Sequence, residues 1–139
     1  MAITIKKGVI WRKEIENQPG EFAKTLAPFA NGGINLQIVM GYTAAGKGAV
    51  EIFPVTDAKG QQAAKDAGMH EAKEVPCLIL EGADKAGLAH SVAKTIADAG
   101  INLHFAICQS VDGKFQACFG FGNDKDADKA SELIKKSHP

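Results

Sequence analysis

Apolar and polar residues alternate over GVIWRKEIE, residues 8–16, with Val9, Trp11, Lys13 and Ile15 on one side and Ile10 and Arg12 on the other. That period of two predicts a strand, and VPCLILEG, residues 75–82, predicts a second one later in the chain. After each, the period lengthens to that of a helix, through Phe22, Leu26 and Phe29 in one place and Leu88, Val92 and Ile96 in the other. Asn17 and Asp84 stand just before these helices and have good N-cap chemistry, while Pro19 suits a first turn. Gly33 and Gly100 fit the left-handed position that ends a helix. Pro28, inside the first helix, should kink it or weaken its carbonyl ladder. Next come INLQIVMGY and INLHFAICQ as strands, turns around Gly46-Lys47 and Asp112-Gly113, and AVEIFPV and FQACFGF as hairpin partners. Residues 57–68 and 124–136, rich in Ala and charge, read as a second, more exposed pair of helices, the first of them weakened by Gly60.

The recurrence of Gly-Ile-Asn-Leu at a step of 67 residues, Gly33 to Gly100, extends over the whole chain. The same step pairs Lys6 with Lys73, Glu14 with Glu81, Gly20 with Gly87, Gly46 with Gly113 and Asp57 with Asp124. The chain is a duplication, expected as repeats 1–68 and 69–139. Residues 2–7 align with 69–74, so the N-terminal strand is expected to complete the second sheet, within two long strands, 2–15 and 69–82, shared between the repeats. Strand, helix, strand, strand, helix, strand is the ferredoxin-like order. The expected class is α+β, two βαββαβ repeats with antiparallel sheets and helices on one face.

Composition narrows the function. Sixteen Lys plus Arg balance sixteen Asp plus Glu, so no bulk field draws the chain to nucleic acid or an anionic membrane. No apolar run approaches a membrane span, and the first residues lack signal-peptide order, which leads us to expect a cytoplasmic protein. Cys77, Cys108 and Cys118 are odd in number, form no CxxC and lie in apolar runs, so each is expected to be a buried small hydrophobe. No metal site or cofactor is expected. GYTAAGKG, residues 41–48, has Gly48 where a P-loop needs Ser or Thr, and a strand follows it. Phe115, Phe119 and Phe121 share a strand face, as in an RNA-stacking strand, but the neutral charge favours core packing.

ENQPGEFAKTLAPFANGGINL and EGADKAGLAHSVAKTIADAGINL resemble the ACT domain, whose pattern is a strand ending in Asp or Asn, x-Pro-Gly, a helix, then Gly-Ile-Asn and a second strand. The likeness covers nearly the whole chain as a tandem pair, with Ala86 where the pattern has Pro. It implies that amino acids or similar small ligands bind at the strand–helix loops, the loop Asn or Asp holding the amino group. Carried over by position, the candidates are Asn17, Gln18, Pro19, Gly20, Glu21 and Phe22, and Asp84, Lys85, Ala86, Gly87, Leu88 and Ala89. Physically, unpaired N–H groups at a helix start attract a carboxylate, and a glycine lets a ligand approach the backbone. Equally, Asn17 and Asp84 would serve as caps with no ligand at all. Asn35 and Asn102, at the helix exits, read as local turn formers.

Three function classes follow. The first is a non-catalytic regulator that senses an amino acid and passes the shift to a partner enzyme. The second is a constitutive interaction subunit of an amino-acid enzyme, with a homodimer among its possible assemblies. The third, a small enzyme, is disfavoured because no paired carboxylate, Cys/His or Ser/His arrangement has workable spacing.

Overall fold

The computed structural model describes residues 3–139; Ala2, where the N-terminal strand was expected to begin, lies outside them. Six strands and four helices follow in the order β1 (Thr4–Ile15), α1 (Glu21–Asn31), β2 (Ile38–Ala44), β3 (Lys47–Phe53), α2 (Ala58–Asp66), β4 (His70–Ala83), α3 (Leu88–Asp98), β5 (Leu103–Val111), β6 (Lys114–Phe121) and α4 (Asp124–Ser137). Two compact units result. One is Val9–Lys73, and the other joins the chain up to Gly8 to Glu74–Pro139. Both boundaries fall inside strands, so β1 and β4 are each shared by the two units. Within the 9–73 unit the strand order is β2-β3-β1-β4, and within the 74–139 unit it is β5-β6-β4-β1. The fold is α+β in the ferredoxin-like βαββαβ pattern, twice over. No helix among the described residues is long and apolar enough to cross a membrane.

Each unit has its own core. In the 74–139 unit, Ile3, Leu78, Leu80, Phe115, Phe119 and Phe121 line the sheet face under Leu88, Val92 and Ile96 of α3 and Ala127, Ala130 and Ile134 of α4. In the 9–73 unit, Trp11, Val50 and Ile52 meet Phe29 of α1 and Ala63 and Ala64 of α2. The second helices therefore do pack, because their alanines let the backbone come close to the core. Burying one such aromatic or aliphatic side chain contributes roughly 1.5–3 kcal/mol.

The repeated Gly-Ile is a helix stop with a hydrophobic latch. The Gly33 N–H donates to Ala30 O at 3.1 Å and the Ile34 N–H to Phe29 O at 2.9 Å; Gly100 and Ile101 repeat this on Ala97 and Ile96 at 2.9 and 3.3 Å. With Gly33 at φ 66° and Gly100 at φ 74°, both exits are Schellman motifs. The following isoleucine packs into its unit's core.

Three local expectations are corrected. Phe22 is 42% exposed instead of buried, its ring lying against Gly41 of β2, where an added Cβ would meet the ring at 2.9 Å. Thr25 takes the buried place, its hydroxyl donating to Glu21 O at 2.9 Å. The first hairpin turns at Ala45-Gly46, one residue early, with φ of 53° and 80° in a two-residue loop closed by the Ala44 and Lys47 pair. Cys108 is exposed because β5 is a terminal strand in its unit, whereas Cys77 and Cys118 are buried.

Candidate functional site

Both strand–helix connections follow the same path. The Glu21 N–H reaches Gln18 O at 3.4 Å, and the Leu88 N–H reaches Lys85 O at 3.1 Å. Gly20 (φ 88°, ψ −15°) and Gly87 (φ 85°, ψ 0°) have the dihedrals of the third residue of a type II turn. A side chain is strained at that φ, which explains the glycine in both copies. Pro19 suits the second position of such a turn, yet Ala86 makes the same turn without it.

This geometry overturns the capping role expected of Asn17 and Asp84. The N-cap positions are Gly20 and Gly87, and neither helix has a side-chain cap. The type II turn moves the actual cap three positions beyond the expected one. Asp84 is used elsewhere: its N–H donates to Gly113 O and its Oδ1 accepts from Ser110 Oγ, both at 2.8 Å, tying the end of β4 to the β5–β6 hairpin. Two helix starts are thus left without a side-chain acceptor, the condition in which backbone N–H groups attract an anion.

Asn17, Gln18, Pro19 and Gly20 are exposed, Glu21 is half-buried, and Phe22 is exposed beside them. Asp84, Lys85, Ala86, Gly87 and Ala89 are exposed as well. Leu88 is the exception, since it is part of the core beneath α3 and presents only its backbone. Nothing stands within 4 Å of where a Cβ would lie on Gly20 or Gly87, so both backbones are open to approach.

The two loops differ in charge. Glu21 lies in the first turn of α1, beside a cleft of about 370 Å³ lined also by Glu14, Glu16, Lys13 and Lys47. The first turn of α3 has no acidic residue, and Lys85 precedes it. A carboxylate therefore meets no acidic side chain in the first turn of α3, where in α1 it meets Glu21; Asp84, in the turn before α3, has Lys85 beside it. Asn35 and Asn102 are exposed beyond the helix exits, outside both turns.

Sequence reasoning passed over a polar cluster in the 9–73 unit. Glu51 on β3 is only 9% exposed; it accepts a hydrogen bond from the Tyr42 hydroxyl, and its carboxylate lies 3.7 Å from Arg12 Nε. Burial first, and then the bond to Glu51, hold the Tyr42 phenol above its ordinary value of 10.0. The signal was a carboxylate inside the apolar run AVEIFPV. GYTAAGKG forms the β2–β3 hairpin, and among the described residues no group of three or more His, Cys, Asp or Glu is placed to hold a metal.

No protein-family model and no curated protein matches the sequence. Solved structures do match the fold. A protein of Bacteroides thetaiotaomicron aligns with a TM-score of 0.78 at 16% identity, over 96% of this chain and 90% of that one. The ligand-free regulatory subunit of aspartate kinase from Thermus thermophilus aligns at 0.68 and 12% identity, over 100% and 98%. Aspartokinase III of E. coli, in complex with aspartate and ADP, aligns at 0.64 and 14% identity, over 97% of this chain and 32% of the enzyme. At such identities the likeness is one of fold, and it is an ACT-like fold of two repeats.

Proposed function

We propose that this chain is a non-catalytic regulatory protein that binds an amino acid or a similar small molecule at its strand–helix loops. The observation that carries this reading is the repeated type II turn, which starts α1 and α3 on an exposed glycine with no side-chain cap. Such a start offers N–H donors to a ligand carboxylate, while Asn17 or Asp84, at the strand end, offers an acceptor to its amino group. That similar folds serve as the regulatory subunit of one aspartate kinase and occur in another solved with aspartate supports the amino-acid class and an enzyme partner in amino-acid metabolism. The second loop, 84–89, is the stronger site because the first turn of its helix has no acid and Lys85 offsets Asp84 in the turn before it. Work in the cytoplasm fits this role.

A second reading, a constitutive interaction subunit, is favoured by one observation. Phe22, Val39 and Tyr42 are all exposed and lie on or against β2, a terminal strand, as a contact for a partner protein or a second copy would.

Melting temperature against each common amino acid at millimolar concentration separates the two. A ligand at about 100 times its dissociation constant adds about 2.7 kcal/mol, a rise of several degrees for this size. The regulator reading expects such a rise with one amino acid or a related few, reduced in Lys85→Glu. No rise with any of them leaves the interaction subunit standing.

A further inference from the structure

The duplication supplies an internal control for the sheet face that the helices leave uncovered. In the 74–139 unit, Gln109, Gln116 and Glu81 lie in register across β5, β6 and β4. The Gln109 amide N–H donates to Gln116 Oε1 at 2.8 Å, and the Gln116 amide points toward Glu81 Oε1 at 3.5 Å. These residues floor a groove of about 800 Å³, which Thr4, Asp112 and Lys114 also line.

In the 9–73 unit the same step of 67 puts Tyr42, Ala49 and Glu14 in this row, again in register. Ala49 breaks the ladder, and that unit has the same strand order nonetheless. The ladder is therefore no requirement of the fold. The carboxylates differ too. Glu14 has cations beside it, Arg12 at 3.7 Å and Lys47 at 4.0 Å. Where Arg12 stands, the second copy has Ile79, and among the described residues Glu81 makes no ion pair. With Asp112 also at the groove and Lys114 the cation that lines it, the lining carries an excess of one negative charge.

We infer that this groove is a binding site for a small molecule bearing a guanidinium or ammonium group, which takes at Glu81 the place that Arg12 takes at Glu14. A planar guanidinium matches a carboxylate edge with two parallel N–H bonds, and the neighbouring amides extend the acceptor row. The groove borders the second strand–helix loop at Ala83 and Gly113, but its lining includes none of residues 84–89 and it asks for a cation, where the helix starts ask for a carboxylate.

Agmatine, which has a guanidinium and an amine but no carboxylate, is the probe. Titrated into the full chain at low salt and followed by NMR, it should give saturable shifts of the Gln109 and Gln116 side-chain amides. Glu81→Gln should weaken binding at least tenfold, Gln116→Ala should weaken it less, and Glu14→Gln should leave it unchanged; melting curves check that each variant is folded. Absence of saturable binding, or binding that Glu81→Gln leaves intact, overturns the inference. Shifts confined to residues 84–89 also overturn it. Amino-acid binding at the loops bears on neither result, so the two readings fail separately.

Discussion

Gly20 and Gly87 show how much a single residue settles: a positive φ at one backbone position makes the turn, sets the helix start and leaves it uncapped. Tyr42 and Glu51 show a second kind of local effect, a hydrogen bond from an exposed tyrosine to a buried carboxylate. The Tyr42 phenol is held above 10.0, so its folded value exceeds its unfolded one. The stability this adds is present in full below pH 10 and is lost as pH rises through the folded value. Tyr42→Phe is expected to cost about 1 kcal/mol at pH 7. The difference from the parent protein should shrink above pH 10 in urea unfolding midpoints. Lys7, raised above its ordinary value by hydrogen bonds to Asp128 and Asp124, titrates alike in both proteins and cancels from the comparison. A gap that stays constant from pH 7 to 11 would mean that the hydroxyl does not titrate with folding.

At the scale of the element, the helix exits were legible because a Schellman motif is local: glycine and the apolar residue after it carry the signal. The starts were misread because Asn17 and Asp84 have cap chemistry three residues before the real N-cap, and only the φ of the next glycine decides between cap and turn. The true side-chain caps are on the second helices, where Asp57 accepts from the Gly60 N–H at 2.6 Å and Asn123 from the Asp126 N–H at 2.8 Å. Gly60, expected to weaken α2, is thus a capped first-turn residue. Burial was read well where strands lie inside a unit, as at Phe115, Phe119 and Phe121, and poorly at a terminal strand, as at Cys108, since period alone does not say which strand ends a sheet. Pro28 is a further element-scale matter. It sits within α1, and its repeat mate Thr95 sits in the same turn of α3 with its hydroxyl on Ser91 O at 3.0 Å. Because a non-proline fits that turn, Pro28→Ala should restore a donor toward Lys24 O and raise stability by about 1 kcal/mol or more, seen as a higher melting temperature. A lower one would show that α1 depends on the proline.

At the scale of the whole molecule, each unit is a small domain with its own core, and the chain segments that build them cross over in β1 and β4. The step of 67 made this crossing legible, because it aligned the N-terminal strand with the strand after the first repeat. Ile3 and Ile5 pack with the core of the 74–139 unit although they precede the other unit in sequence. A fragment of residues 74–139 alone should therefore fail to show a cooperative melt. A circular permutant that places residues 1–8 after residue 139 by a short linker should recover one. Cooperative melting of the bare fragment would show that the N-terminal strand is dispensable. The central claim, a carboxylate-bearing ligand held by uncapped helix starts, is tested most directly by backbone amide NMR of the full chain as an amino acid that raises its melting temperature is added. The account predicts saturable shifts of the Ala89 and His90 amides, with smaller ones at Phe22 and Ala23; saturable shifts elsewhere, with those amides unmoved, would contradict it.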